Sequence, residues 1–320
     1  MTESFAEKSA PAIRRVIDVF PFYNELDLLE LRFRMLYDHV DFFVVSECEE
    51  TFSGKLKPMY FAENRERFTA FDDKIIYNAV DKSVLAEMQR ENWQQYVTSP
   101  DAVRSHKHSG RPARELYASL QREIMHRDAA VKGLAQVAEE GDLILLSDVD
   151  ELPDVRMVDM LRERAVPQPS YFEMRWFLYY INNVVDAPWF GTVAFTYEML
   201  KGQSLDLLRY ASSDVNGVPG PVIADGGWHF SYLGGSDAIS QKLDALPYQG
   251  VRAEIAKFLN RFRPGSWQSK IEKNADILLQ NRTLRSVLID ESFPAEIAQI
   301  EGFIEKYANV TFRPAYDGNK

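Results

Sequence analysis

Asp142-Leu143-Ile144-Leu145-Leu146-Ser147-Asp148-Val149-Asp150-Glu151-Leu152-Pro153 contains four consecutive apolar residues, Leu143 to Leu146, with the length and composition of a strand buried on both faces. Asp148, Asp150 and Glu151 follow its C-terminal end. In an open α/β sheet the ligand crevice lies outside the carboxyl ends of the strands, so these acids stand where a small molecule binds. Extended alternation places Asp148 and Asp150 on one side and turns Val149 to the other. Two neighbouring carboxylates repel unless one is protonated or a cation lies between them. Mg²⁺ or Mn²⁺ bridging to the phosphates of a nucleotide is the common solution. The same residues also suit a plain acidic turn leading into a helix that begins at Pro153.

Working outward toward the N-terminus, a long helix is expected from Ala113, with Leu116, Leu120, Ile124, Val131 and Leu134 as its buried stripe and Gly141 closing the turn into the strand. Arg114, Arg122 and Arg127 decorate it. An arginine near the carboxylates would grip a diphosphate through its planar fork, and the alternative is a solvated face paired with Glu115, Glu123 and Asp128. Further upstream, Val16 to Phe20 reads as a first strand ended by Pro21. Asn24 follows as an N-cap for a helix that buries Leu26, Leu29, Phe33 and Leu36 and pairs Glu30 with Arg34. Asp41 to Glu47 is a second strand and puts Glu47 at a second strand mouth. A turn-rich loop, Thr51 to Pro58, leads on to a third strand over Lys74 to Val80. Strands alternating with helices predict a mainly parallel central sheet flanked by helices. Between Asp81 and Pro112 the pattern dissolves into polar residues, which suits a lid or binding loop. Its His106 and His108 are close enough for metal, though a loop rich in Lys, Ser and Gly ordinarily faces solvent.

Beyond Pro153 a helix over Asp154 to Arg164 precedes an aromatic strand, Tyr171 to Tyr180, placed on a mixed side of the sheet. Trp189 to Phe195 follows, then Gly226-Gly227-Trp228-His229-Phe230-Ser231, a strand entered through two glycines that permit close backbone approach. His229 is either a satisfied core histidine or a contact to ligand or phosphate. From Ser236 the chain reads as helical over Ala238 to Leu246, Val251 to Phe262, Ser269 to Leu279 and Pro294 to Tyr307. The simplest parse is a tail over 1–14, a catalytic domain over 15–235 and a helical C-terminal extension over 236–320.

The whole chain of 320 residues is long enough to bury a large core. A formal charge of -11 argues against nucleic acid or an anionic membrane as partner. Cys48 is the only cysteine, which excludes an intrachain disulfide and multi-cysteine zinc sites and points to a reduced, cytoplasmic setting. No apolar run approaches the roughly 20 residues of a membrane span, and Met1 to Pro11 lacks the apolar centre of a signal peptide. The content of 20 Phe, 15 Tyr and 5 Trp would suit stacking on sugars or bases, although aromatics fill cores first.

Four blocks in this order resemble glycosyltransferase family 17: Asn24 to Phe33; Asp41 to Glu47 with Thr51, Gly54 and Pro58; Asp148 to Pro153; and Gly227 to Ser231. The resemblance covers roughly Ile17 to Gly235. It implies a GT-A-like nucleotide-sugar-binding fold and transfer from a UDP-sugar, with N-acetylglucosamine as first choice, to a glycan acceptor with inversion. In that chemistry Mn²⁺ or Mg²⁺ would be held by Asp150, with Asp148 on the ribose or the metal, and His229 would complete the metal shell or touch the diphosphate. Inversion needs one general base, for which Glu151 and Glu47 are both candidates. Asn24, Glu25 and Asp27 are the expected contacts to uracil or ribose, with Arg122 and Arg127 for the diphosphate. Two other readings compete. A phosphohydrolase with an aspartyl nucleophile would want its D-x-D on the first strand, and a sugar-nucleotide or glycan-binding protein would bind without turnover.

Overall fold

A computed structural model describes residues 15–90, 122–201, 203–210, 220–245, 266–273, 275–277 and 282–309. Strand β1 (Val16–Phe22) runs parallel to β2 (Phe42–Cys48) on one side and to β4 (Leu143–Leu146) on the other. β3 (Ile75–Val80) extends the parallel set beyond β2. Helix α1 (Leu26–Leu36) crosses between β1 and β2, with Glu30 and Arg34 paired as expected at 2.9 Å. Alternation along β1 decides what each face meets. Val16, Phe20 and Phe22 pack with Leu29, Phe33 and Leu36 of α1. Ile17 and Val19 pack on the other face with Ala130 and Leu134.

Those last two residues lie on the helix Ala130–Leu134, which continues helical residues 122–128 after a break at Ala129. Of the expected stripe, Ile124 and Leu134 are buried and Val131 is half-buried. Gly133 sits where this helix meets the sheet, and a Cβ there would stand 2.5 Å from Val44 Cγ1. The small residue lets the helix lie close to β2 and β3.

The expectation of a mainly parallel sheet holds for only half of it. Beyond β4 the order continues through β7 (Asn183–Thr196), β6 (Ser170–Leu178), β8 (Val222–Ser231) and β5 (Glu151–Pro153). β4 with β7, β7 with β6 and β8 with β5 are antiparallel, and only β6 with β8 is parallel. The cause is connection length. β6 and β7 are joined by the four residues Tyr179 to Asn182, enough for a hairpin and too few for a helical crossover.

Two further expectations need correction. Pro153 does not start a helix: it ends β5, and Asp154 caps Val155–Arg162 by accepting from Arg156 N at 2.9 Å. The C-terminal region is not simply helical. β9 (Leu284–Ser286) adds to β7, and Pro294 to Tyr307 divides into a 3₁₀ turn, Ala295–Gln299, and a helix, Phe303–Tyr307, at left-handed Gly302. Helices at Gly235–Ala245 and Ser266–Ile271 stand near two of the expected ones. The expected helix over Val251 to Phe262 and the loop with His106 and His108 lie outside the described residues. Among the described residues no helix is long and apolar enough to cross a membrane.

Candidate active site

The mouths of β1, β2 and β4 open on one cavity of about 360 Å³. Asp148, Val149 and Asp150 line it from the end of β4; Glu25 and Tyr23 come from the end of β1, and Cys48, Glu50 and Phe52 from the end of β2. The antiparallel half of the sheet contributes Trp176, Trp189 and His229, and the helix that follows β8 contributes Lys242.

The acids reach the cavity from a turn, not from an extended strand. β4 stops at Leu146, and the chain folds back so that Glu151 N donates to Asp148 O at 3.0 Å. The Glu151 side chain closes the same turn, accepting from Asp148 N at 2.9 Å. Beneath the turn lies a buried pair that the sequence reading passed over. Arg32 of α1 grips Asp18 of β1 through Nε at 2.6 Å and Nη2 at 2.5 Å, and both side chains are fully enclosed. Arg32 Nη1 donates to Glu151 O at 2.6 Å and to Asp148 O at 3.3 Å, while Nη2 also reaches Ser147 Oγ. One guanidinium thus ties the first strand to the backbone of the D-x-D turn. The signal was present in the sequence as a charged residue inside an apolar strand and an arginine on the apolar stripe of the next helix.

Asp148 stands between Arg127, whose Nη2 is 3.4 Å from Oδ1, and Arg209, whose Nη2 is 3.6 Å from Oδ2. Burial works to raise its pKa, but the two guanidinium groups outweigh that and hold it down to about 2. The carboxylate is therefore ionised at any working pH, and a weak proton acceptor. Asp150 accepts from Lys242 Nζ at 2.6 Å, and the same ammonium lies 3.2 Å from Glu25 Oε1. His229 places Nε2 3.7 Å from Asp150 Oδ1, and its ring clusters with those of Trp189, at 4.4 Å, and Trp176, at 6.2 Å. Burial, then the nearby Lys242 and Arg209, push its pKa well below the ordinary value, so the imidazole is neutral.

The two carboxylates expected as general bases are both engaged elsewhere. Glu151 is fully buried; its Oε1 accepts from Trp189 Nε1 at 2.7 Å and from Arg209 Nη2, and its Oε2 is taken by Asp148 N. Burial raises its pKa to about 7, with Arg209 opposing and Asp148 and Asp150 adding to the rise. Glu47 is equally buried and accepts from Lys57 Nζ at 3.1 Å, Phe61 N at 3.0 Å and Tyr77 OH at 3.0 Å. Neither reaches the cavity wall, so the geometry gives them the work of holding walls in place.

The other expected contacts also divide. Arg127 and Glu25 line the cavity. Arg122 instead donates to Phe52 O at 2.8 Å and secures the loop after β2. Asn24 is not the helix cap; that position is Glu25, whose Oε2 accepts from Asn24 N at 3.0 Å. Asp27 is spent on Arg67 at 2.6 Å, and on Lys306 at 2.7 Å and Tyr307 at 2.8 Å, the last two tying α1 to the C-terminal helix. Burial alone would raise Asp27, but these three partners bring it down to about 2.

A strand-mouth acid pair, cations facing it and an aromatic wall suit an anionic, sugar-bearing ligand. Residues 3–106 and 88–277 match the model of glycosyltransferase family 17. The chain belongs to glycosyltransferase family 17. No curated protein matches it. Membership makes it a glycosyltransferase. The cavity at the D-x-D turn is the candidate active site on its geometry, with Arg209, Lys242, Trp176 and Trp189 as cavity residues that no local sequence signal marked.

A divalent cation fits these family 17 residues poorly. Among the described residues no group of three or more His, Cys, Asp and Glu side chains could hold a metal ion. Asp150, the expected principal ligand, already holds the Lys242 ammonium, and Asp148 faces two guanidinium groups. Histidines that bind metal almost always donate their second ring nitrogen to an acceptor, and His229 Nδ1 is buried with no partner among the described residues.

Proposed function

We propose that this cavity binds a UDP-sugar, UDP-N-acetylglucosamine in the first instance, and that the chain transfers the sugar to a hydroxyl of a glycan acceptor with inversion. The observation that carries the reading is the placement of Asp148 and Asp150 at the mouth of β4, opposite Arg127, Arg209 and Lys242, beside Trp176 and Trp189. The acceptor oxygen forms a bond to the anomeric carbon as the bond from that carbon to the phosphate oxygen breaks, and UDP leaves with the electron pair. Negative charge grows on the diphosphate in the transition state, and preorganised cations in a shielded cavity stabilise it. Arg127 and Arg209 offer planar forks for phosphate oxygens, and the Asp148 carboxylate accepts from ribose hydroxyls. The tryptophan faces suit the apolar side of a sugar ring. The acceptor proton passes to a carboxylate on the cavity wall, where Glu25, Glu50 and Asp150 stand.

Calorimetric titration with UDP-N-acetylglucosamine, UDP-glucose, UDP-galactose and GDP-mannose tests the donor. One UDP-sugar should bind at micromolar to millimolar concentration and be consumed with release of UDP when oligosaccharide is added. Failure of every sugar nucleotide to bind, with and without Mn²⁺, would overturn the reading.

A further inference from the structure

Lys242 stands against Asp150, the second acid of the D-x-D turn. It rises from the helix Gly235–Ala245, which starts just past the end of β8. Its ammonium lies 2.6 Å from Asp150 Oδ2 and 3.2 Å from Glu25 Oε1, joining the mouth of β4 to the mouth of β1. The side chain is about one-fifth exposed and lines the cavity, so it faces whatever ligand enters. Asp148 is balanced separately by Arg127 and Arg209. The charge of the acid pair is thus met by side chains of the chain itself, and a dication would enter against Lys242 and Arg209.

We propose that Lys242 is the cation that meets the donor diphosphate in this chain, so that UDP is bound and released without a divalent ion. The inference rests on the UDP-sugar reading above. An ammonium on a four-carbon stem has three donors and can rotate from Asp150 to a phosphate oxygen as a compact point charge. Asp150 and Glu25 then hold the ammonium in place while the cavity is open.

Titration of UDP into the wild type, in EDTA and again in Mn²⁺, is the deciding measurement, with Lys242→Met and Lys242→Gln as variants whose folding is checked by thermal melting. The wild type should bind UDP with an affinity that differs by less than about threefold between the two buffers. Each folded variant should lose about 10- to 100-fold in EDTA, as expected for removal of a charge-assisted hydrogen bond. Wild-type binding that falls tenfold or more in EDTA overturns the role of Lys242 and leaves the donor reading intact. Absence of UDP binding in both buffers overturns both. Because the wild-type comparison needs no variant, a lysine substitution that fails to fold does not stop the test.

Discussion

Replacing Arg32 with methionine separates the architecture of the site from its chemistry. The guanidinium sits fully buried over the Phe20 ring, with its carbon 4.5 Å from the ring centroid, and makes two bonds to Asp18 and one each to Ser147 Oγ, Glu151 O and Asp148 O. Methionine keeps most of the volume and removes every donor. Asp18, fully enclosed, is left without a counter-charge, which costs about 3–5 kcal/mol. An unpaired Glu151 carbonyl adds about 1 kcal/mol. The sum, about 5 kcal/mol, is a large part of the roughly 5–15 kcal/mol that holds a typical domain folded. Urea unfolding followed by tryptophan fluorescence measures it. Asp18→Leu with Arg32→Met removes both charges, and apolar replacement of a buried ion pair is often neutral or stabilising, so the double variant should recover to within about 2 kcal/mol of the wild type. UDP affinity should not recover with it, because nothing then holds the carbonyls of Asp148 and Glu151. A double variant with wild-type UDP affinity would refute the claim that Arg32 positions the turn, and a single variant losing less than about 1 kcal/mol would refute the buried-pair argument itself.

Asp128 accepts from Ser204 Oγ at 2.9 Å and Asp206 N at 3.0 Å, and burial raises its carboxyl from 3.8 to about 7. The folded state therefore keeps a proton that the unfolded chain gives up; the stability is whole below about pH 4 and is lost as pH rises to about 7. At 1.36 kcal/mol per pH unit the ceiling is about 4 kcal/mol, and Asp128→Asn, which preserves an accepting oxygen, should flatten the urea midpoint between pH 5 and pH 8. A variant with the wild-type slope would place the titration on another group. Gly227 has φ +134°, and a Cβ there would lie 2.1 Å from Leu152 O. Gly227→Ala should cost about 3 kcal/mol or more and lower the melting temperature by several degrees; an unchanged melt would contradict the close contact of β8 with β5. Cys48 is buried 3.2 Å from His126 Nε2, and desolvation pushes its thiol up to about 12. A disulfide reagent at pH 8 should leave the native protein unmodified over minutes and label one thiol in urea; rapid labelling of the native form would disprove the burial.

The parallel half of the fold was legible because each of its parts announces itself within a few residues. Leu143 to Leu146 is apolar on both faces, and Leu29, Phe33 and Leu36 recur at helical spacing before a second apolar strand. The antiparallel half was harder. Tyr171 to Tyr180 and Trp189 to Phe195 stand out by composition, but the direction of the strands they belong to depends on a four-residue link whose turn includes Tyr179 at φ +69°, and residue type gives no hint of that conformation. The paired glycines before Trp228 did imply close approach. What approaches is the neighbouring backbone, Leu152 O for Gly227 and Phe172 for Gly226, and not a ligand.

At the site the difficulty is one of valence. A carboxylate at a strand mouth looks available from sequence, since nothing local shows how many donors the rest of the chain will bring to it. Glu47 is filled by Lys57, the Phe61 amide and Tyr77, ten to thirty positions away. Glu151 is filled by Trp189 and Arg209, 38 and 58 positions away. These are the same long-range contacts that hold the residues around the cavity together. Glu151 sets the angle of Trp189 and the position of Arg209, and both face the ligand space. The residue that appeared to be the base is thus the one on which the cation and the aromatic wall are mounted. Glu151→Gln should therefore weaken UDP binding through a displaced Arg209. Substitution of a true base would instead spare binding and abolish transfer, and a Glu151→Gln protein that binds UDP as the wild type does and transfers nothing would return the catalytic role to Glu151.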